Sequence, residues 1–150
     1  MNARARILLV EDSPADVRLT QEVLDEAGFD YLLFVAGDGE EALRMLRDPP
    51  THLGGSLPDL VLLDLNLPRK SGREVLVEVK NDPRLRRIPV LILSTSAAES
   101  DVAGCYDAHA NCYLTKPVDW GQFVGLAKAL HDFWLHYVVL PPSVQAAPAA

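Results

Sequence analysis

Each of four short, continuous apolar runs in this chain is followed by a polar or charged residue, and this pattern constrains the fold most. The runs and their following residues are 7–10 with Glu11 and Asp12, 60–63 with Asp64, 89–93 with Ser94, and 112–115 with Lys116. Runs of this length without polar alternation are typical of strands buried on both faces, as in a parallel sheet. Since ligands bind outside the carboxyl ends of such strands, the pattern predicts one functional site that gathers these polar residues.

Helix signals alternate with the apolar runs along the whole chain. Ser13-Pro14 supplies a capping hydroxyl and a proline for the first helical position, and Gly28 ends the helical spacing that follows. Further predicted elements are a strand at 31–35, a helix from Asp38 and a Pro- and Gly-rich loop at 48–58. A turn at 68–72 follows the third strand, and the helix after it is marked by Val75, Leu76 and Val79 and broken at Asp82-Pro83. The last two helices are predicted at about 98–110 and from Asp119. Five strands alternating with five helices predict an α/β fold with a doubly wound parallel sheet and right-handed crossovers.

Length and composition narrow the class of protein. A chain of 150 residues suits one domain, which we place at residues 1–140, with a disordered Pro- and Ala-rich tail at 141–150. The net charge of −7 argues against a nucleic-acid surface, and no apolar run reaches transmembrane length. The N-terminus lacks a signal-peptide pattern, and two free cysteines suit a reducing compartment. We therefore expect a cytoplasmic protein with no nucleic-acid or membrane partner.

The polar residues at the strand ends have complementary chemistry. Crowded carboxylates repel one another, and a hard cation offsets that repulsion; oxygen ligands favour Mg²⁺. Asp64 is the best candidate nucleophile toward phosphorus, because it follows a central strand. Glu11 and Asp12 point in alternate directions, so one is expected to bind the metal directly and the other through water. Lys116 is suited to hold a phosphoryl group, and Ser94 to donate a hydrogen bond to it.

The four site segments together resemble a bacterial response-regulator receiver domain, of the type found in the chemotaxis regulator. The segments are 8–12, 59–68 with Gly72, 89–94, and 113–117, and the resemblance extends over residues 5–137. It implies a (βα)5 flavodoxin-like receiver fold with strand order 2-1-3-4-5. It also implies that Asp64 takes a phosphoryl group from the phosphohistidine of a sensor histidine kinase in a Mg²⁺-dependent reaction and loses it slowly by autodephosphorylation.

The same resemblance assigns roles to individual residues. It implies that Lys116 contacts the phosphoryl oxygens, that Ser94 is the switch hydroxyl, and that Tyr113 is the aromatic residue that changes rotamer with it. Thr95 directly follows Ser94 and is the alternative switch hydroxyl. The implied Mg²⁺ ligands are Glu11, Asp12, Asp64 and the backbone carbonyl of Asn66. Phosphorylation would then alter the face formed by the fourth helix, the fifth strand and the fifth helix.

Three shorter segments are similar to those of single-domain regulators that pair with bacterial and cyanobacterial phytochromes. They are residues 93–96, 111–113 and 132–135, and the long loop at 48–58 fits the same group. This resemblance implies that the sensor kinase is a phytochrome. The few residues after the last predicted helix leave no room for a DNA-binding domain, so we expect an output made by protein contacts.

The fifth predicted helix is more apolar than one face against the sheet requires. An exposed apolar strip of this size is typical of a partner surface, and a symmetric homodimer would use it twice. The residues predicted to form this dimer surface are Val102, Tyr113, Val124, Leu126, Phe133, Tyr137 and Val138.

Two other functions and one other metal site fit these residues less well. A phosphohydrolase with an aspartyl nucleophile needs a second carboxylate two residues later, and Asn66 stands at that position. An unphosphorylated binding module would not need the acidic residues and Lys116 together. Cys105, His109 and Cys112 could bind zinc but offer no fourth ligand, so core thiols are the favoured interpretation.

Overall fold

A five-stranded parallel sheet forms the centre of the computed structural model, which describes residues 4–142. The strands are β1 Ala5–Val10, β2 Tyr31–Ala36, β3 Leu60–Leu63, β4 Val90–Ser94 and β5 Cys112–Thr115. Their order is β2-β1-β3-β4-β5, and each adjacent pair is parallel. The predicted fold class and strand order are therefore confirmed. Residues 143–150 of the predicted disordered tail lie outside the described residues.

Helices connect the strands and pack on both faces of the sheet. They are α1 Pro14–Glu26, α2 Gly39–Arg47, α3 Pro49–His52, α4 Gly72–Asn81, α5 Glu99–Asp107 and α6 Trp120–Asp132. A π-helical turn, Phe133–Tyr137, continues α6. The predicted fourth and fifth helices are thus α5 and α6. Among residues 4–142, no helix has both the length and the apolar character that crossing a membrane requires.

Helix α3 lies inside the segment that the sequence analysis predicted to be a loop throughout. Arg6, on β1, explains why this segment is ordered. Its guanidinium donates hydrogen bonds to the carbonyls of Leu53 and Ser56 and stacks 5.1 Å from the centre of the Phe34 ring. The side chain of Arg6, from a strand far away in the sequence, therefore holds the segment that follows α3 in place.

The apolar core has one layer on each face of the sheet. Leu8, Val61 and Ile92 face α2, α4 and α5, whereas Ile7, Leu62 and Leu91 face the layer that includes α6. All four residues of β3 are buried, as expected for a strand covered on both faces.

Capping side chains begin most helices directly after the strands. Ser13, Asp38, Ser71 and Asp119 accept hydrogen bonds from backbone N–H groups in the first turns of α1, α2, α4 and α6. Gly72 starts α4 so close to β3 that a Cβ atom would lie 2.0 Å from the carbonyl oxygen of Asp64. These short connections keep the strand ends and the helix starts together at one edge of the sheet.

The predicted dimer surface is only partly exposed. Val124 is 8% exposed and packs with Val23 and Leu24 of α1, so the prediction that it is available on the surface is wrong. Phe133 and Tyr137 are 57% and 74% exposed. The other members are partly buried: Val102, Tyr113, Leu126 and Val138.

Candidate functional site

Three carboxylates meet at the carboxyl edge of the sheet. Glu11 and Asp12 follow β1 and Asp64 follows β3, and these neighbouring strands are in register at Val10 and Leu63. One ligand oxygen from each carboxylate lies within 4.8 Å of the others. Glu11 is buried and Asp12 is exposed, which is the alternation expected of adjacent residues leaving a strand.

Lys116 reaches this acidic cluster from the end of β5. Its ammonium donates a 2.7 Å hydrogen bond to Glu11 Oε2 and lies 3.9 Å from Asp64 Oδ2. It also lies 4.0 Å from Asp16 Oδ2, a carboxylate in the first turn of α1 that the sequence analysis did not single out. Asp16 could have been noted because it follows the Ser13 cap by one helical turn.

Burial and neighbouring charges shift the pKa values of Glu11 and Lys116. Burial raises the pKa of Glu11, although its hydrogen bond with Lys116 opposes the shift. Burial alone would lower the pKa of Lys116, but the hydrogen bond to Glu11 and the nearby charges of Asp64 and Asp16 outweigh it and raise that pKa. Glu11, Asp12 and Asp64 thus offer three carboxyl groups beside the single ammonium of Lys116, an arrangement that can attract a further cation.

The donor set fits a hard divalent cation. All side-chain donors are carboxylate oxygens, which Mg²⁺ and Mn²⁺ prefer. The exposed Asn66 lies two residues beyond Asp64, and its N–H donates to Asp64 Oδ1 at 3.4 Å. Among residues 4–142, Glu11, Asp12 and Asp64 are the one convergent group of three or more metal-binding side chains, so the described structure offers no zinc site at Cys105, His109 and Cys112.

The two predicted switch residues meet at a third residue, Ser96. Ser94 is the last residue of β4 and is fully buried, and its Oγ accepts a 3.2 Å hydrogen bond from the Ser96 N–H. The Tyr113 hydroxyl donates to the Ser96 carbonyl at 2.8 Å. The Ser96 hydroxyl donates to Asp101 on α5 at 2.5 Å. The sequence did not indicate Ser96, because its contacts form only in the folded loop. Thr95, the alternative switch hydroxyl, is exposed, which favours Ser94 as the switch hydroxyl.

Comparisons with known proteins agree with this geometry. Residues 7–128 match the family described as the response regulator receiver domain. The chain is 47% identical over 135 residues to the response regulator Rcp1 of Synechocystis sp., covering 90% of this chain and 92% of Rcp1.

Two solved structures are similar over nearly their full length. The phosphorylated cyanobacterial phytochrome response regulator RcpA has a TM-score of 0.85 at 47% identity, with 93% of this chain and 99% of RcpA covered. The Mn²⁺-bound form of Rcp1 has a TM-score of 0.81 at 47% identity, with 91% of this chain and 99% of that chain covered.

Proposed function

Because this chain belongs to the family of response regulator receiver domains, we propose that it is the phosphoacceptor of a two-component system and that Asp64 takes the phosphoryl group from a sensor histidine kinase. The observation that carries the proposal is the position of Asp64 between two carboxylates and the Lys116 ammonium. A carboxylate oxygen of Asp64 attacks phosphorus, the phosphorus–nitrogen bond of the phosphohistidine breaks, and the imidazole leaves with the bonding electron pair.

The acidic residues would hold the metal that this reaction needs. Glu11, Asp12, Asp64 and the backbone carbonyl of Asn66 are the proposed ligands, and Mg²⁺ is the proposed ion. A bound divalent cation would neutralise the negative charge that otherwise repels an incoming phosphoryl group. The Mn²⁺-bound form of Rcp1 supports divalent-cation binding, because that protein shares 47% of its residues with this chain.

Lys116 is proposed to balance charge on the phosphoryl group after transfer. Its ammonium is already 3.9 Å from Asp64, so a small movement away from Glu11 would bring it to an oxygen of the phosphorylated side chain. Asn66 offers no carboxylate that could act as a general acid or base, so we expect slow autodephosphorylation rather than the turnover of a phosphohydrolase.

Ser94 and Tyr113 are proposed to carry the signal away from Asp64. Movement of the Ser94 hydroxyl toward a phosphoryl oxygen would break its bond to the Ser96 N–H, and the Tyr113 hydroxyl shares the same Ser96. A shift of Ser96 would also change its hydrogen bond to Asp101 on α5. The proposed output surface is therefore the face of α5, β5 and α6.

A phytochrome histidine kinase is the proposed phosphodonor. Support comes from the 47% identity to the phytochrome response regulator RcpA over almost all of both chains. Val118 and Trp120, which closely follow Lys116 in the chain, have exposed apolar side chains, and we propose them as a contact for the kinase. We further propose a cytoplasmic location and a homodimer built on the exposed Phe133 and Tyr137.

Phosphorylation of purified protein tests the phosphoacceptor. Wild type, Asp64→Asn and the control Asp107→Asn, at an exposed position on α5, are incubated with Mg²⁺ and a small acyl-phosphate donor and examined by intact-mass spectrometry. We expect a base-labile adduct on wild type and the control and none on Asp64→Asn. An adduct of equal yield on Asp64→Asn would refute the assignment. Transfer from purified kinases, with and without phytochrome modules, then tests the proposed donor.

A further inference from the structure

An ion pair joins the two loops on either side of the acidic cluster. Arg69, in the loop between β3 and α4, donates a 2.6 Å hydrogen bond from Nη1 to Oδ2 of Asp38, in the turn between β2 and α2. The Asp38 side chain is only 10% exposed, whereas that of Arg69 is 67% exposed. The arginine therefore covers a nearly buried carboxylate from the solvent side.

Both oxygens of the Asp38 carboxylate are in use. Oδ1 accepts the Glu41 N–H at 2.8 Å and so caps α2, while Oδ2 holds Arg69. The Glu41 N–H and, after it, the Arg69 guanidinium lower the pKa of Asp38 against the opposing effect of burial. The carboxylate is thus charged at neutral pH and able to bind the guanidinium.

Arg69 adopts a backbone conformation that few arginines adopt. Its φ is 66°, in the left-handed region where residues other than glycine are uncommon. Such a conformation persists where surrounding contacts determine it. The ion pair to Asp38 is such a contact.

Further contacts hold the chain on each side of the acidic cluster. On one side, the Glu11 N–H donates to the Ala36 carbonyl at 3.0 Å, and Gly37 lines the same cleft as Glu11 and Asp12. Asp38 comes next in the chain. On the other side, the loop from Leu65 to Ser71 closes on itself through a 3.0 Å bond from the Gly72 N–H to the Leu65 carbonyl.

The backbone at the start of α2 also contacts the loop between β3 and α4 directly, beside the ion pair. A Cβ atom on Gly39 would lie 2.2 Å from the carbonyl oxygen of Lys70, so the first turn of α2 rests on the loop without an intervening side chain. Lys70 is in turn paired with Glu78 on α4. The loop that carries Asn66 is therefore held from the α2 side by Arg69 and from the α4 side by Lys70.

We propose that Asp38 and Arg69 are positioning residues that fix the loop carrying Asn66 so that its backbone carbonyl is placed for the divalent cation. The proposal rests on the proposed function, since it assigns Asn66 a place among the metal ligands. Loss of either partner removes one of the contacts that hold the loop, and part of the metal's binding free energy would then go into ordering it. Neither Asp38 nor Arg69 belongs to the proposed set of metal ligands, so both are expected to act through the position of the loop.

A double-mutant cycle on Mg²⁺ affinity tests the pair. Asp38→Asn keeps an oxygen for the α2 cap but removes the charge, and Arg69→Asn keeps a residue type that tolerates the left-handed conformation but removes the guanidinium. Calorimetry should give a Mg²⁺ Kd about threefold to fivefold higher for each single variant and no further loss in the double variant. The control Arg47→Gln removes the ion pair between Arg47 and Glu78 but leaves the one between Lys70 and Glu78. It should bind Mg²⁺ as wild type does.

Amide hydrogen exchange of residues 65–71 without metal provides an independent readout. Faster exchange in both single variants, with unchanged midpoints of urea unfolding, is expected of a positioning pair and not of a merely stabilising one. Unchanged Mg²⁺ affinity in the single variants, or losses that add in the double variant, would overturn the proposal. If wild type binds no Mg²⁺, the proposed metal site itself is refuted, and the exchange data alone then decide whether the pair holds the loop.

Discussion

Glu11 and Lys116 form a buried ion pair, with 2.7 Å between Oε2 and Nζ. The ammonium is thus held by a carboxylate other than that of the proposed phosphoacceptor, which is 3.9 Å away. This arrangement has two consequences. Loss of Lys116 would leave the buried Glu11 carboxyl without its ion-pair partner, and the ammonium and a divalent cation compete for the same negative charge.

Replacing Lys116 should therefore lower stability and strengthen metal binding at once. In Lys116→Met, Glu11 stays buried without its partner, and we expect a loss of about 3 kcal/mol in the free energy of unfolding at neutral pH. Mg²⁺ should restore part of this loss and should bind more tightly than to wild type, because the competing cation is gone.

Urea unfolding with and without Mg²⁺ measures both effects. Lys128→Met is the matched control, since Lys128 is an exposed lysine on α6 and its loss should change stability little. Equal destabilisation by the two substitutions, or weaker Mg²⁺ binding to Lys116→Met, would contradict the proposed competition.

Mg²⁺ affinity should fall in mild acid because of Glu11. Burial raises the pKa of Glu11 above the ordinary glutamate value, so protons displace the metal at a higher pH than an exposed carboxylate would allow. The sign for the metal-free protein is opposite: with the pKa raised in the folded state, the contribution of Glu11 to stability is present below the unfolded pKa and is lost as pH rises through the folded pKa.

Calorimetry at several acidic pH values distinguishes the contributions of Glu11 and Asp12 to Mg²⁺ binding. Glu11→Gln should bind Mg²⁺ more weakly than wild type and lose most of the pH dependence. Asp12→Ala should bind about tenfold more weakly or worse at every pH yet keep the dependence. An unaltered affinity in Asp12→Ala would count against the metal site as drawn.

Phosphorylation should change amide exchange well beyond the metal-binding loops. Ser94, Ser96 and Tyr113 share hydrogen bonds that lead to α5, so an added phosphoryl oxygen near Ser94 should alter exchange in residues 95–107 and in β5. Wild type and Ser94→Ala are compared with and without a stable phosphoryl mimic. Changes confined to the loops around Asp64 in wild type, or equal changes in Ser94→Ala, would refute this route.

The sequence predicted those parts of the molecule that depend on local pattern. Buried runs gave the strands, and polar residues at their ends gave the acidic cluster, because the carboxyl ends of parallel strands meet at one edge. Contacts between residues far apart in sequence could not be predicted from local patterns. Nothing local indicates that Arg6 orders the segment after α3, or that Asp38 holds Arg69. Likewise, the helical spacing of α6 does not reveal that α1 covers Val124.

We expect a homodimer built on the end of α6. The π-helical turn presents Phe133 and Tyr137 to solvent, with 57% and 74% of their surfaces exposed. The Phe133 ring packs edge to face on Trp134 at 5.8 Å, and Trp134 is itself packed against the core. An aromatic side chain that is already held in place loses little entropy on association, which makes it a good anchor.

Sedimentation of wild type and Phe133→Asp at micromolar concentration tests this surface. Val102, Tyr113, Leu126 and Val138, all partly buried, complete the proposed surface, whereas the buried Val124 does not contribute an exposed contact. We expect a dimeric wild type and a monomeric Phe133→Asp, because a twofold interface meets the introduced charge twice. Val77→Asp, at an exposed apolar position on α4, should remain dimeric. A monomeric wild type would falsify the dimer, and a dimeric Phe133→Asp would place the interface elsewhere.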